Sequence, residues 1–330
     1  MYHDEGVYGA VDSINFQVLF YRKDILDKLG LSVPQTWDDV EHMMPELLRY
    51  SMNFNTVLAN NLGFKTFNAT GPFLYQNHGA FYKKDGLSTA FGKEETVNGF
   101  TQMTELFQIY ALQEYVANFY NSFRYGEVPI GINGFSTYIQ LQVAAPELAG
   151  KWDIAVVPGQ RQEDGSILRY QAADNTASMI FENTDKEEEA WRFLKWWLSD
   201  ETQVKFAYTL ESTYGVQFRW NTANLEAFSQ LPYPDSHKKV ILEQLSYQKE
   251  NARHPAGYMV ERESSNIWNN VVANGKGLAE SIDRSTITAD REIIRKLKEF
   301  NFLDADGNVI KKYPMNTIEK LQQELEKHDD

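Results

Sequence analysis

The stretch YGAVDSINFQVLFYRKDIL, residues 8–26, carries the strongest fold signal in the chain. A mixed polar and apolar segment from Asp12 to Gln17 precedes the compact apolar run from Val18 to Tyr21, and a charged helix start follows. A short apolar run in this position predicts a buried strand that leads directly into a helix. The strand has the composition expected at the centre of a larger fold, although it stands close to the first residue.

The overall composition is ordinary for a globular protein and excludes several classes of function. The 330 residues are 42% hydrophobic and 24% charged, and a chain of this length predicts two lobes. The net charge of −14 argues against nucleic-acid binding, because phosphates require a basic surface. No apolar stretch approaches the roughly 18 residues of a membrane span. The first ten residues, MYHDEGVYGA, lack the apolar region of a signal peptide.

Residues that commonly bind metals or carry catalysis are sparse. The chain has no Cys, which excludes disulfides, thiolate chemistry and Cys-ligated zinc. The 6 His are scattered without a His-x-x-x-His spacing, and the segment DADGN from Asp304 lacks the distal Glu of a calcium loop. Neither a phosphate-binding Gly-rich loop nor a Gly-x-Ser-x-Gly elbow occurs. We therefore expect no metal, no cofactor and no catalytic residue.

Helix and strand signals alternate along the chain, which is the pattern of an α/β fold. The segment VPQTWDDVEHMMPELLRY predicts a helix with Thr36 as its N-cap, and Pro45 interrupts that helix or begins another. KEETVNGFTQMTELFQIYAL predicts a second, amphipathic helix. GSILRYQAADNTASMIF predicts two strands separated by a turn near Asp174 and Asn175.

Four stretches follow one another in a fixed order. They are the opening segment continued as DILDKLGLSVPQTWDDV, then FRYGEVPIGINGFSTYIQLQ, PELAGKWDIAVVPG and NTDKEEEAWRFLKWWLSDETQ. Together they resemble the family 1 extracellular solute-binding proteins of ABC importers, the maltose-binding-protein-like group. The first matches the family's strand, turn and helix link, the second its Gly-containing strand, and the fourth its helix with Ala190-Trp191.

The resemblance implies an α/β fold of the type II periplasmic-binding-protein kind, mainly its C-terminal lobe, with a sheet flanked by helices. Family members carry a longer segment before the opening strand, which builds most of their first lobe, and we expect this chain to lack it. Residues 1–15 are then a hinge strand left from that lobe, and residues 16–213 form the second lobe. We expect residues 214–252 to return to the first lobe and 253–300 to add second-lobe helices. We expect residues 301–330 to form a C-terminal tail helix that is preceded by a hairpin turn.

The resemblance also implies a set of ligand-binding residues. Asn15 falls where the family commonly places a ligand-contacting Asn or Glu, and the loop FKTFNATGPFLYQNHG matches a loop that contacts sugars. Phe135, Ser136 and Tyr138 stand where the family often has an aromatic platform, although its usual Trp is absent. Arg262 lies near the place of a stacking aromatic. The expected ligand-binding residues are Asp12, Asn15, Thr66, Asn68, Phe73, Phe135, Ser136, Tyr138, Asp174 and Arg262.

Several of these positions also have a purely structural interpretation. Asp12 and Asn15 are equally typical of a turn-forming polar pair, and the residues from Thr66 to Phe73 fit ordinary turn chemistry. Arg262 is at least as typical of a salt bridge that stabilises a helix end. Its charge, where sugar binders have an aromatic ring, favours an acidic or highly polar solute, or the loss of binding.

The resemblance implies extracytoplasmic solute binding for an ABC-type importer, without bond chemistry. Expected partners are a sugar or oligosaccharide and the permease subunits, but no nucleic acid. Membrane attachment would come only through an upstream lipid anchor, and the location would be the cell surface or the periplasm. Two alternatives remain: a sensor or scaffold domain that kept the fold without transport, and a glycoside-active enzyme, whose retaining mechanism needs two carboxylates about 5 Å apart.

Overall fold

The computed structural model describes residues 2–3, 6–7, 9–56, 66–172 and 174–315. Contacts between Cα atoms divide the chain into two compact units. Unit 1 comprises Met1–Val33, Asn118–Val157 and Ala173–Gln248, and unit 2 comprises Pro34–Ala117, Pro158–Ala172 and Lys249–Asp330. The chain therefore passes between the two units five times.

The described residues form short strands and longer helices. The strands are β1 (Tyr2–His3), β2 (Gly6–Val7), β3 (Ala10–Asn15), β4 (Gln17–Arg22), β5 (Phe54–Asn55), β6 (Ile130–Gly134), β7 (Trp152–Ala155), β8 (Gln160–Arg161), β9 (Ile167–Leu168), β10 (Gln171–Ala172), β11 (Asp174–Ser178) and β12 (Gln248–Lys249). The helices are α1 (Lys23–Leu29), α2 (Trp37–Arg49), α3 (Phe67–Gln76), α4 (Glu94–Gln108), α5 (Phe119–Tyr125), α6 (Ser136–Ala144), α7 (Glu187–Trp197), α8 (Asp200–Tyr214), α9 (Leu225–Ser229), α10 (Asp235–Ser246), α11 (Gly257–Trp268) and α12 (Leu278–Glu299).

Strand β4 is the central strand of the main sheet of unit 1. It pairs antiparallel with β6 on one side and β7 on the other, so that Leu19 lies opposite both Ile132 and Ala155. Val18, Leu19 and Phe20 are completely buried. Three consecutive buried side chains require cover on both faces of the sheet, which explains the unbroken apolar run. The predicted buried strand is confirmed, and α1 follows it directly.

A second, two-stranded sheet of unit 1 joins β3 to β11. The antiparallel register places Asn15 opposite Asp174 and Ile14 opposite Asn175, with a bulge between Thr176 and Ala177. The turn predicted near Asp174 is therefore wrong, since both it and Asn175 lie in a strand. The polar composition of DNTAS is typical of a turn, but pairing with a distant strand overrides that local preference.

The expected segment boundaries do not coincide with the observed units. The block 16–213 is divided, because residues 34–117 and 158–172 group with unit 2. Most of the segment 214–252, which contains α9 and α10, groups with β3 and β4 in unit 1.

The first helix of unit 2, α2, begins with a capping box. Thr36 Oγ1 accepts from the backbone N–H of Asp39 at 3.2 Å, and a carboxylate oxygen of Asp39 accepts from the N–H of Thr36 at 2.9 Å. The predicted N-cap is thus confirmed. Pro45 lies inside a continuous helix, so the predicted interruption there is wrong.

Helices α3 and α4 of unit 2 pack closely at Gly99. A Cβ atom on Gly99 would lie 2.7 Å from the carbonyl oxygen of Phe73 and 2.8 Å from Cα of Leu74. Only glycine permits this approach, because α3 backbone occupies the position of a side chain. The surrounding core contains Trp37, Phe54, Phe73, Phe91 and Phe100.

The hairpin turn predicted at the start of the tail is confirmed, since residues 301–315 form a turn and irregular structure without a helix. An antiparallel bridge between Leu303 and Val309 closes the turn, and the carboxylate of Asp304 accepts from the backbone N–H of Asn308 at 2.7 Å. The expected tail helix then falls on residues 316–330, which lie outside the described residues. In the described portion of the chain, no helix has both the length and the apolar character needed to span a bilayer.

Candidate solute-binding site

Polar side chains converge at the start of α3 in unit 2. The side-chain oxygen of Asn68 accepts from Nδ2 of Asn251 at 2.8 Å, and Oδ1 of Asn251 accepts from the Tyr75 hydroxyl at 2.8 Å. Glu261 on α11 accepts from the backbone N–H of Phe67 at 2.8 Å. The Glu261 carboxylate therefore satisfies one of the N–H groups that a helix start leaves without an intrahelical partner. We call Asn68, Tyr75, Asn251 and Glu261 the α3 cluster.

Aromatic rings pack against the residues of the α3 cluster. Phe67 and Tyr75 both pack on Phe81, with ring centroids 4.4 and 5.9 Å apart. Burial raises the pKa of the Tyr75 hydroxyl well above its ordinary value, so that this group keeps its proton. The ammonium of Lys249 lies 4.5 Å from the centre of the Tyr75 ring. The cluster thus joins two amides and a carboxylate to an apolar floor, which suits a ligand rich in hydroxyl groups.

Two of the residues predicted from the loop FKTFNATGPFLYQNHG belong to the surface of unit 2, and one does not. Asn68 is half-buried within the cluster, and Thr66, also half-buried, is the N-cap residue of α3, although its side chain makes no capping hydrogen bond. Phe73 is 1% exposed, and its ring centroid lies 5.0 Å from that of Trp37. The expectation that Phe73 contacts ligand is wrong, because its ring fills the core.

The aromatic platform expected at the start of α6 is also part of a core, that of unit 1. Phe135 stacks on Phe16 with ring centroids 4.6 Å apart and on Tyr138 at 5.0 Å. Tyr138 is completely buried, and its hydroxyl lies 2.7 Å from Nδ1 of His237. Neither ring presents a face on which a sugar could stack. Ser136, the first residue of α6, is exposed.

The β3–β11 ladder of unit 1 brings three predicted residues onto one sheet. Asp12 lies in the middle of β3, whereas Asn15 is exposed at its end and pairs in register with Asp174. One carboxylate oxygen of Asp12 accepts from Ser178 Oγ at 2.8 Å and from the Trp197 indole N–H at 3.4 Å. The other oxygen is buried and has no hydrogen-bond partner among the described residues. Asp12 is therefore a strand residue with spare acceptor capacity rather than a turn former.

Arg262 lies on the exposed side of α11 in unit 2. Its guanidinium lies 3.7 Å from the carboxylate of Glu263 and also contacts the sulfur of Met259. Tyr258, one helical turn earlier, is 52% exposed, and its hydroxyl donates to the carboxylate of Glu292 on α12. Sequence reasoning missed Tyr258, although its i, i+4 spacing from Arg262 places both residues on one side of the helix. It also missed Asn251 and Glu261, which no sequence pattern connects to Asn68.

Metal coordination is not indicated by this geometry. No group of three or more His, Asp or Glu side chains among the residues that the structure describes could hold an ion.

Comparison with known proteins identifies the family. Residues 5–204 match the sequence profile described as bacterial extracellular solute-binding protein. The chain belongs to this family. No curated protein matches the chain in sequence. Membership makes it a solute-binding protein of an extracellular type.

Several solved structures share the fold. The sugar-binding protein MalE from Xanthomonas citri is 17% identical, with a TM-score of 0.68, and the match covers 87% of this chain and 71% of that one. The maltose-bound periplasmic protein MalE from Listeria monocytogenes is 18% identical, with a TM-score of 0.66 over 89% and 74%. An ABC transporter solute-binding protein from Thermotoga lettingae, bound to α-D-tagatose, is 19% identical, with a TM-score of 0.63 over 87% and 72%. The mixed α/β fold is thus that of type II periplasmic binding proteins.

Proposed function

We propose that this protein is the extracytoplasmic receptor of an ABC-type importer and that it binds a carbohydrate without changing it. The observation that carries the proposal is the α3 cluster, in which Asn68 and Asn251 bond to each other through their amides beside an aromatic floor. Amides both donate and accept hydrogen bonds, as sugar hydroxyls do, so that each can exchange its present partner for a hydroxyl. The similar proteins from Listeria and Thermotoga bind maltose and tagatose.

The charged character of α11 narrows the class of solute. Arg262 and Glu261 stand on consecutive positions of the helix, and Tyr258 is the exposed ring nearest to them in sequence. Such a surface favours a highly polar or acidic sugar. It is less suited to a long chain of glucose units, whose apolar faces stack on aromatic rings. We further propose that the permease subunits of the importer are the protein partners. As such a receptor, the protein would be located either at the cell surface, held by a lipid anchor, or in the periplasm.

A thermal-shift screen against a library of neutral and acidic oligosaccharides tests this function. A ligand at 100 times its Kd stabilises the folded state by about 2.7 kcal/mol, which is a readily measured shift. We expect Asn68→Ala to lose most of the shift because a sugar hydroxyl would lose its amide partner. Asn98→Ala, an exposed change on α4, is the matched control and should bind as the wild type does.

The outcomes of the screen separate the alternatives. A shift without product formation supports a receptor. Release of a smaller sugar, detected by chromatography, would overturn the proposal in favour of a glycoside-active enzyme. No shift with any sugar would favour a sensor or scaffold role.

A further inference from the structure

Large apolar side chains lie exposed on one part of the surface of unit 1. They come from helix α7 and from the segment that follows β11, and between 49% and 72% of each is exposed: Met179, Phe181, Phe193 and Trp196. Among the 11 residues of α7, only Leu194 is buried. We call the four exposed side chains the α7 patch.

The α7 patch is continuous. Met179, Phe181 and Phe193 line one groove, and the ring centroids of Phe193 and Trp196 lie 5.5 Å apart. Each of the four side chains leaves on the order of 100 Å² exposed, so that the patch offers about 400–500 Å². A continuous apolar area of this size on a folded protein commonly marks an interaction surface.

Strand β11 leads into the α7 patch and has an open edge. In the described part of unit 1 it pairs with β3 alone, so that their ladder has two strands. The strand ends at Ser178, directly before Met179. A two-stranded ladder is only marginally stable, and an open edge offers backbone N–H and C=O groups to another strand. The edge and the patch together require a partner that supplies both a strand and an apolar surface.

Opposite charges accompany the exposed rings of α7. The i, i+3, i+4, i+7 spacing places four residues on one side of the helix: Glu189, Arg192, Phe193 and Trp196. Both charged side chains are exposed. When two such helices lie side by side in opposite directions, Glu189 of each approaches Arg192 of the other, whereas a parallel arrangement brings like charges together. This side of α7 is therefore complementary to a second copy of itself in antiparallel orientation.

A twofold axis satisfies the strand edge and the helix at once. Helix α7 packs on the β3–β11 ladder, since the indole N–H of Trp197 donates to Asp12 of β3 at 3.4 Å. An axis perpendicular to that ladder at the edge of β11 makes two β11 strands antiparallel and keeps both α7 helices on the same face. We propose that this surface binds a second copy of the chain, with the two β11 strands paired and the two α7 patches covering each other. The patches alone bury about 800–1,000 Å², and with the strand pairing the interface reaches the size of a small specific one.

Analytical ultracentrifugation of the full chain tests the proposal over a dilution series from about 100 µM to about 1 µM. Salt at about 0.15 M screens the repulsion between two chains of net charge −14 beyond about 8 Å. We expect the mass to rise with concentration from 38.1 kDa towards twice that value and to stop there, because a twofold interface closes on itself. A constant mass of 38.1 kDa, or growth beyond the dimer, would overturn the proposal.

Substitutions locate the interface. Phe193→Glu, at a side chain that is 58% exposed, should fold normally and weaken dimerisation at least tenfold, because a charge would be buried against apolar side chains. Ile287→Glu is the matched control, since it makes the same kind of change at a side chain that is 69% exposed on α12, outside the patch. It should dimerise as the wild type does. Wild-type dimerisation of Phe193→Glu would refute the assignment.

The antiparallel arrangement has two tests of its own. Glu189→Arg should weaken dimerisation because it places arginines of the two copies together, and adding Arg192→Glu to the same chain should restore it. Backbone amides of β11 should exchange with solvent at least tenfold more slowly in the dimer than in monomeric Phe193→Glu. A dimer in which the double variant does not recover, or in which β11 gains no protection, would overturn the twofold pairing.

Discussion

The protonation of His254 should make the stability of unit 2 depend on pH. Its imidazole stacks on Tyr82 with ring centroids 5.0 Å apart and lies 4.7 Å from the ring of Tyr313. Nδ1 accepts from the backbone N–H of Ala256 at 3.0 Å, and Nε2 donates to the carbonyl of Gly86 at 3.1 Å. These contacts fit the neutral ring, because a proton on Nδ1 would face another N–H.

The magnitude follows from the pKa of His254. Burial lowers it from 6.5 to about 4, although the hydrogen bond to the Gly86 carbonyl acts in the opposite direction. The unfolded chain therefore binds a proton more readily than the folded chain between these two values. Stability is fully present above about pH 6.5 and falls as the pH drops, by about 2 kcal/mol at pH 5 and about 3 kcal/mol below pH 4.

Urea-induced unfolding, measured at pH 7.5 and pH 5 for the wild type and for His254→Gln, isolates this contribution. The carboxylates titrate alike in both proteins. The wild type should therefore lose about 2 kcal/mol more unfolding free energy between pH 7.5 and pH 5 than His254→Gln does. His42→Gln, at an exposed histidine of α2 whose Nδ1 contacts the Asp38 carbonyl, is the matched control and should behave as the wild type does.

A direct titration gives the refuting result. In the proton NMR spectrum, the ring signal that His254→Gln removes should stay unchanged from pH 8 to pH 5 and move only below that range. If that signal titrates near pH 6.5, or if the wild type and His254→Gln lose equal stability at pH 5, the argument from burial is wrong.

Substitutions at Gln76, at Phe73 and in the capping box of α2 have defined outcomes. Gln76→Leu should destabilise the protein by about 1–3 kcal/mol in urea unfolding, because the buried indole N–H of Trp37 donates to Gln76 Oε1 at 2.8 Å and would lose its acceptor; an unchanged midpoint would contradict this. Phe73→Ala should lower the stability by about 3–5 kcal/mol, because it leaves a cavity in the core. The milder Phe73→Leu should leave the Kd for sugar unchanged in titration calorimetry. Weaker sugar binding by Phe73→Leu would show that Phe73 has a ligand role. Thr36→Ala should lower the stability by about 1 kcal/mol, because α2 loses its cap. The calorimetric Tm should fall less for Asp39→Asn, because Asn keeps one acceptor oxygen. An equal fall in Tm for the two variants would argue against the capping box.

Local patterns predicted the parts of the fold that depend on neighbouring residues. The apolar run of β4 and the cap of α2 at Thr36 are fixed by spacing within a few residues, and both are confirmed. The polar composition around Asp174 predicts a turn, whereas its partner in the ladder, Asn15, is far away in sequence. Register between distant strands has no local signature, so that this error could not be avoided from composition.

The candidate site was predicted less completely than the fold. Phe135 and Tyr138 are buried in a core and do not form the predicted platform. The sequence could not show this, because a buried ring and an exposed ring look the same at a helix start. Asn68 was found through the family resemblance, but its partner Asn251 requires knowledge of the tertiary contact. Side-chain exposure and long-range hydrogen bonds are properties of packing, and a single sequence carries no direct record of them.

The central place of β4 has a consequence for synthesis on the ribosome. The strand emerges before both of its neighbours, because β6 begins about 110 residues later and β7 later still. At the usual rate of translation, Val18, Leu19 and Phe20 must therefore wait for roughly 5–20 s without either flanking strand. During that interval the nascent chain presents an apolar segment able to pair with other chains, and holding chaperones should bind it there.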